Sequence, residues 1–361
     1  MKIFEEYKKS ICDDYSLIGR FERQLEMIFG VNHAIAINSG TSAIHCAIMA
    51  LGIKEGDQII VPSVCVVMSV MPIIYCGAIP IFVDCQKDSI DFDYADLESK
   101  ITKETKAIIP VYMFGMSYDM DRLMNLAKKY ELFVIEDACQ AHGSQWKNKY
   151  LGTFGDIGCF SLKDGKLFSC GEGGFILTNN NNVALLCRRL INHDTCKNEP
   201  IKSFQIIAYN YRLTNVQAYL AINSFESFED KLKNRKAKIE KFYEMLSKNQ
   251  SFKRYNTQIH ESPNCYSPVL LQVENDKIKL SELFADNGII NSVGSFALMP
   301  AHRREAIANY LRSKGRCDIK DINSMDFLNK CIALVIDPQI NAQDLKTLAD
   351  KIIDFKEGEE G

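Results

Sequence analysis

Two lysines in a glycine-rich stretch are the residues of this chain best suited to covalent chemistry. The run Gly155-Asp156-Ile157-Gly158-Cys159-Phe160-Ser161-Leu162-Lys163-Asp164-Gly165-Lys166 closes with Gly171-Glu172-Gly173-Gly174. Lysine ordinarily favours helix surfaces, and its amine becomes able to form a Schiff base with a carbonyl once desolvation or a neighbouring charge supplies the neutral form. Lys163 and Lys166 compete for that role, and a solvated surface lysine is the plain alternative for each.

Two shorter segments carry groups that would serve such a lysine. Glu136-Asp137-Ala138-Cys139-Gln140 ends an apolar run, where an acid at a strand end reaches a ligand. A carboxylate there can hold a pyridine-type nitrogen protonated, because nearby negative charge favours the cation, and the charged ring is then an electron sink. An aspartate that merely caps the next helix is the simpler reading. Asn38-Ser39-Gly40-Thr41-Ser42 follows a strand-like run and opens a helical one. Its first-turn N–H groups, with the Thr41 and Ser42 hydroxyls beside them, suit a phosphate dianion, although an ordinary helix cap with a glycine turn has the same composition.

The elements that must position these residues alternate. Candidate strands are His33–Ile37, Gln58–Pro62, Ile79–Val83, 106–111, 132–136, Ile157–Ser161 and Gly174–Thr178; candidate helices include 41–51, 120–130 and 181–190. The alternation predicts an α/β fold with a mostly parallel sheet between helical layers, and ligands in such sheets bind at the carboxyl ends of the strands. Past Thr214 a long helix follows, densely charged over 229–241, as expected of a solvated face. The expected division is a large domain over residues 1–240 and a smaller C-terminal α/β domain over 241–361.

The composition narrows the class. An apolar share of 47% and a charged share of 25% are those of a globular protein. A formal net charge of −3 offers no basic field for nucleic acid or an acidic membrane surface, so the partner is expected to be small. The 13 cysteines include no Cys-x-x-Cys pair, so no metal site is expected. Scattered through apolar stretches, they suit buried free thiols in a reducing, cytoplasmic compartment. Residues 1–15 are rich in charge and are not expected to be a signal peptide. The uncharged stretch 59–83 is long enough to span a bilayer, yet Pro62, Pro72, Gly77 and Pro80 divide it into a strand, a short helix and a second strand.

Taken in order, the three chemical segments resemble the DegT/StrS sugar aminotransferases, a branch of the fold-type I pyridoxal phosphate enzymes. The resemblance runs from about residue 16 to 221 with recognisable motifs, and more weakly to 355. It implies pyridoxal 5′-phosphate as cofactor and a seven-stranded sheet. In that family the Schiff-base lysine lies five positions after the serine of a Cys-Phe-Ser-like motif, which selects Lys166 over Lys163. The resemblance further implies that Gly40, Thr41, Ser42 and Ser161 hold the cofactor phosphate, that Asp137 pairs with the pyridinium nitrogen, and that Gln140 lies against the ring or its phenolic oxygen. Tyr209-Asn210-Tyr211-Arg212-Leu213-Thr214 is similar to the family's Asn-Tyr-Arg motif, whose asparagine reaches the phosphate of the other subunit, so Asn210 implies a homodimer with shared sites.

The activity so implied is transfer of an amino group from glutamate or glutamine to a keto-sugar, most simply a nucleotide-linked one, in amino-sugar or polysaccharide biosynthesis. A keto-inositol acceptor is an alternative. A sugar dehydratase is another, although the relatives of that kind replace the lysine with histidine; a cofactor-binding regulatory protein without turnover is the non-enzymatic one. The chain departs from the family at Val66, where an aromatic residue commonly stacks on the ring, leaving dispersion contact of smaller area. Tyr112-Met113-Phe114-Gly115 stands where relatives often carry His-Leu-Tyr-Gly, and His302 is the candidate substrate contact in a segment, 295–302, that matches poorly.

Overall fold

The computed structural model describes residues 17–194, 205–248, 253–255, 269–273, 277–317, 319–336 and 340–353. Helix α1 (Leu17–Phe29) turns Phe21, Leu25 and Phe29 inward, a spacing of four that keeps them on one face. Then come β1 (His33–Ile37), α2 (Gly40–Ala50), β2 (Gln58–Pro62), α3 (Val67–Tyr75), β3 (Ile79–Val83), α4 (Tyr94–Ser99), β4 (Thr105–Ile108), α5 (Met120–Lys129) and β5 (Phe133–Asp137). A short hairpin, β6 (Gln145–Trp146) with β7 (Lys149–Tyr150), precedes β8 (Ile157–Ser161) and β9 (Gly174–Thr178).

These strands form one seven-stranded sheet in the order β1-β9-β8-β5-β4-β2-β3. Pairing is parallel throughout except at β9, which runs antiparallel to both β1 and β8. The expected strands are all present, with ends shifted at β4 and β5. The stretch 59–83 is the expected strand, helix and strand, with Pro72 inside α3. Within a strand, alternate residues enter opposite cores. Ile59 and Val61 join one cluster, Ile60 the other, and both faces are covered, so the strands read as continuous apolar runs. Among the described residues, no helix is long and apolar enough to cross a membrane.

After α6 (Asn181–Ile191) and α7 (Asn215–Phe225), the long helix α8 (Phe228–Leu246) leaves the large core. Its first residue, Phe228, belongs to the core of the large sheet, whereas Ile239, Phe242 and Leu246 belong to a third cluster. That cluster lies on a four-stranded antiparallel sheet, β10-β11-β13-β12, of β10 (Lys253–Arg254), β11 (Val269–Gln272), β12 (Ile290–Asn291) and β13 (Cys331–Val335). The remaining helices are α9 (Lys277–Asp286), α10 (Glu305–Ser313), α11 (Ile322–Lys330) and α12 (Ala342–Ile352). Buried Asp84, just past β3, ties the two parts together. It accepts the N–H of Asn323 at 2.9 Å and of Ser324 at 2.8 Å, satisfying orphan donors in the first turn of α11.

Candidate active site

β5 ends in two acids whose side chains, as neighbours on a strand, leave on opposite faces. Glu136 is fully buried on the side away from the cavity described below. It takes a hydrogen bond from the Tyr112 hydroxyl and from the N–H groups of Gly152, at 2.7 Å, and of Phe154 and Gly155, at 2.6 Å. Burial raises its pKa against the opposing pull of those donors. Asp137 faces the cavity. Its Oδ2 accepts the Ser69 hydroxyl at 2.6 Å and its Oδ1 the Cys139 N–H at 3.1 Å. Glu136 builds the turn; Asp137 is turned toward the cavity.

The lysines lie in the connection between β8 and β9. Backbone bonds close this loop on itself: Leu162 N–H to Gly173 C=O at 2.8 Å, Asp164 N–H to Gly171 C=O at 2.9 Å, and Cys170 N–H to Leu162 C=O at 2.9 Å. Gly165 and Gly171 stand at φ of +85° and +89°, a region that costs other residues strain, which explains the glycine-rich composition. Buried Phe168 anchors the loop by stacking on Phe225 and Phe228, with centroids 4.5 and 4.9 Å apart. Lys163 is exposed and Lys166 half-buried, and both border the cavity. The Lys166 charge opposes protonation of His142 and partly offsets the burial that raises the Cys139 thiol.

Helix α2 points its first turn at the same place. Ser39 is the cap, its Oγ accepting the Ser42 N–H at 3.1 Å, and Ser39, Gly40 and Thr41 line the cavity. A Cβ on Gly40 would lie 2.6 Å from Cys139 Sγ and 3.0 Å from Ser161 Cβ, so only glycine lets the helix start pack directly on the strand ends. Gln140 is fixed by Phe114, whose N–H donates to its Oε1 at 2.9 Å. Phe114 sits at φ +59°, ψ +13°, a left-handed conformation costing a side-chain-bearing residue about 1 kcal/mol or more.

The cavity holds about 670 Å³ and gathers Gly40, Thr41, Val66, Asp137, Gln140, Ser161 and Lys166. It leaves out three residues named from the sequence. Ser42 is turned to Ser39, its Oγ 2.8 Å from the cap oxygen. Asn210 is exposed on a segment that bridges to Asn192. His302 lies outside the cavity lining and is buried, 3.2 Å from Asp321 Oδ2 and tilted against Phe82. Burial lowers its pKa against the attraction of Asp321. From that segment the cavity takes Phe296, Leu298, Met299 and Arg304 instead. Nothing in the sequence pattern marked these four beyond the apolar run around Leu298. Tyr112, where relatives often carry histidine, also borders the cavity, and its hydroxyl is committed to Glu136.

A parallel sheet whose carboxyl edge gathers a lysine, an aspartate and a helix N-terminus is the arrangement of the fold-type I pyridoxal phosphate-dependent transferases. The chain belongs to the DegT/DnrJ/EryC1/StrS aminotransferase family, whose model matches residues 4–353. It is 40% identical over 221 residues to GDP-perosamine synthase of Caulobacter vibrioides, covering 60% of this chain and 59% of that protein. It is 38% identical over 216 residues to a UDP-N-acetyl-3-dehydro-α-D-glucosamine 3-aminotransferase of Acidithiobacillus ferrooxidans, covering 58% of each. These matches span about three-fifths of the relatives' length. Among solved structures, a DegT/DnrJ/EryC1/StrS aminotransferase from Brucella abortus superposes with a TM-score of 0.83 at 25% identity, covering 97% of this chain and 94% of that one. DesV of S. venezuelae superposes at 0.85 with 24% identity, covering 98% and 94%. Enzymes of this family use pyridoxal 5′-phosphate. The donor set fits that group: an amine, an acid, and a hydroxyl-bearing helix start meet in one cavity.

Proposed function

We propose that this chain is a pyridoxal phosphate-dependent aminotransferase that moves an amino group from glutamate or glutamine to a keto-sugar carried on a nucleotide. The observation that carries the reading is the meeting of Lys166 and Asp137 in one cavity with the first turn of α2. The names of the two curated relatives, one GDP-linked and one UDP-linked, favour a nucleotide sugar over a cyclitol.

When bound, the cofactor supplies an electron sink for the negative charge that develops on the donor's α-carbon. Lys166 Nζ would be the covalent attachment point, and the same amine would be the residue placed to carry a proton. Asp137 keeps a proton on the ring nitrogen. The first turn of α2, with Gly40, Thr41 and Ser161 lining the cavity beside it, would take the phosphate, with Ser42 bracing the Ser39 cap behind them. Val66 and Gln140 pack beside the ring. Asn210 serves the phosphate of a second copy, which makes the working unit a homodimer; the exposed Ile207, Tyr75 and Met68 are apolar surface that such a partner would cover. The buried thiols at Cys46, Cys85 and Cys331 suit a reducing cytoplasm.

The test is mass spectrometry of products after incubation with glutamate and a panel of nucleotide keto-sugars. An aminated nucleotide sugar with 2-oxoglutarate is the expected result. Turnover of a keto-inositol with the panel untouched would move the acceptor to the cyclitols, and no amine transfer to any acceptor would defeat the reading.

A further inference from the structure

Ser69 is where the helix bordering the cavity touches the acid of the site. Its side chain is fully buried on α3, and its hydroxyl crosses 68 residues of sequence to reach Asp137 Oδ2 at 2.6 Å. A helical serine more often bonds back to a carbonyl of its own helix, so this donor is committed to the carboxylate. The length is that of a charge-assisted O–H···O⁻ bond. With the Cys139 N–H on Oδ1, each carboxylate oxygen has one fixed donor and keeps a lone pair for a further partner.

We propose that Ser69 is a positioning residue: it fixes the rotation of the Asp137 carboxylate, so that the acid is aimed to keep the cofactor's ring nitrogen protonated. The proposal rests on the reading of Asp137 given above. Without the hydroxyl the carboxylate is free to turn, and its contact with the ring nitrogen weakens, so the ring holds its proton less well. A ring with less positive charge makes the Lys166 nitrogen more basic. The thiols of Cys65, Cys139 and Cys159 lie around Asp137 and are held neutral by burial, and the cavity it faces is also lined by Lys163, Asp164, Lys166, Glu172, Arg304 and Tyr112, whose hydroxyl is bonded to Glu136. The dependence of the shift on Asp137, read in the D137N background, separates it from these neighbours.

The experiment uses cofactor-loaded full-length protein and three variants, S69A, D137N and the double variant. It reads the pH midpoint of the visible band of the Lys166-linked cofactor and the cofactor dissociation constant, with thermal melting as a check on folding. In S69A the midpoint is expected to rise by about one pH unit and cofactor binding to weaken about tenfold, the scale of one hydrogen bond to a charged group. In the D137N background the same change is expected to add nothing, because its target is gone. A purely structural role would leave the pH midpoint where it was. An unshifted S69A band overturns the Ser69 proposal alone, as does an equal shift with and without Asp137. A wild-type protein with no visible band takes down the reading of the site itself, and the Ser69 proposal with it.

Discussion

The two walls of the cavity are built differently. On the sheet side each polar group is tied to backbone: Asp137 ends β5 with Cys139 N–H on one oxygen, Gln140 accepts from Phe114 N–H, and the Lys166 loop is closed by three backbone bonds and plugged into the core by Phe168. On the other side Phe296, Leu298, Met299 and Arg304 arrive from the segment after β12, and Phe296 and Met299 are 40% and 37% exposed. Groups locked to a sheet fix where charge and protons go. Half-exposed apolar side chains on a connecting segment can be exchanged without disturbing that sheet, so under the proposed function the first wall would carry the reaction and the second would tune its acceptor.

Replacing Lys166 breaks that division most directly. Lys166→Ala is expected to lower steady-state amine transfer by at least about 10³-fold, the loss of a covalent anchor and a proton carrier together. Lys163→Ala, on the exposed side of the same loop, should stay within about tenfold of the parent. Rates for the two variants under saturating substrates decide the matter. Equal losses would mean that the loop as a whole, and no single nitrogen on it, carries the chemistry.

The sheet-side wall has an acid weakness. His142 is buried among Phe160, Phe168 and Phe175, and burial, reinforced by the Lys166 charge, pulls its pKa down to about 3 from 6.5. The unfolded chain therefore binds a proton between those values that the folded chain refuses. This contribution to stability is complete above pH 6.5 and is lost as pH falls toward 3, at up to about 1.4 kcal/mol per pH unit. Urea unfolding of wild type and His142→Phe from pH 7.5 to 5 should give curves whose difference has that slope below about 6.5. Parallel curves would show that the imidazole is not the group titrating.

Legibility followed the same line between the walls. The strands of the large sheet were readable because both faces are covered, so β2 after Gln58 is an unbroken apolar run of Ile59, Ile60, Val61 and Pro62. The glycine-rich stretch left Lys163 and Lys166 open and Asp137 could have been a helix cap; the resemblance to the family's motifs, and no local property, singled out Lys166 and Asp137. Ser69 and Glu136 were harder. A serine inside an apolar helix looks like a tolerated substitution until its partner is known, and Glu136 differs from Asp137 only in which face of β5 it leaves by. The surroundings of His302 were not legible, because the acid and the ring it packs on, Asp321 and Phe82, are 19 and 220 residues away in the chain.

The smallest expected effect falls on the second wall and sharpens the contrast most finely. Met299→Ala removes part of an apolar side chain already partly in water, so the lost contact is worth about 1 kcal/mol, or roughly fivefold. If this wall meets the acceptor, that factor appears in KM for the keto-sugar and in the relative use of different sugars. The half-reaction with glutamate, followed by single-turnover loss of the visible band, should keep its rate because it is run from the sheet side. A Met299→Ala protein slowed equally in both halves would mean that the segment supports the sheet side, and that the two walls act as one.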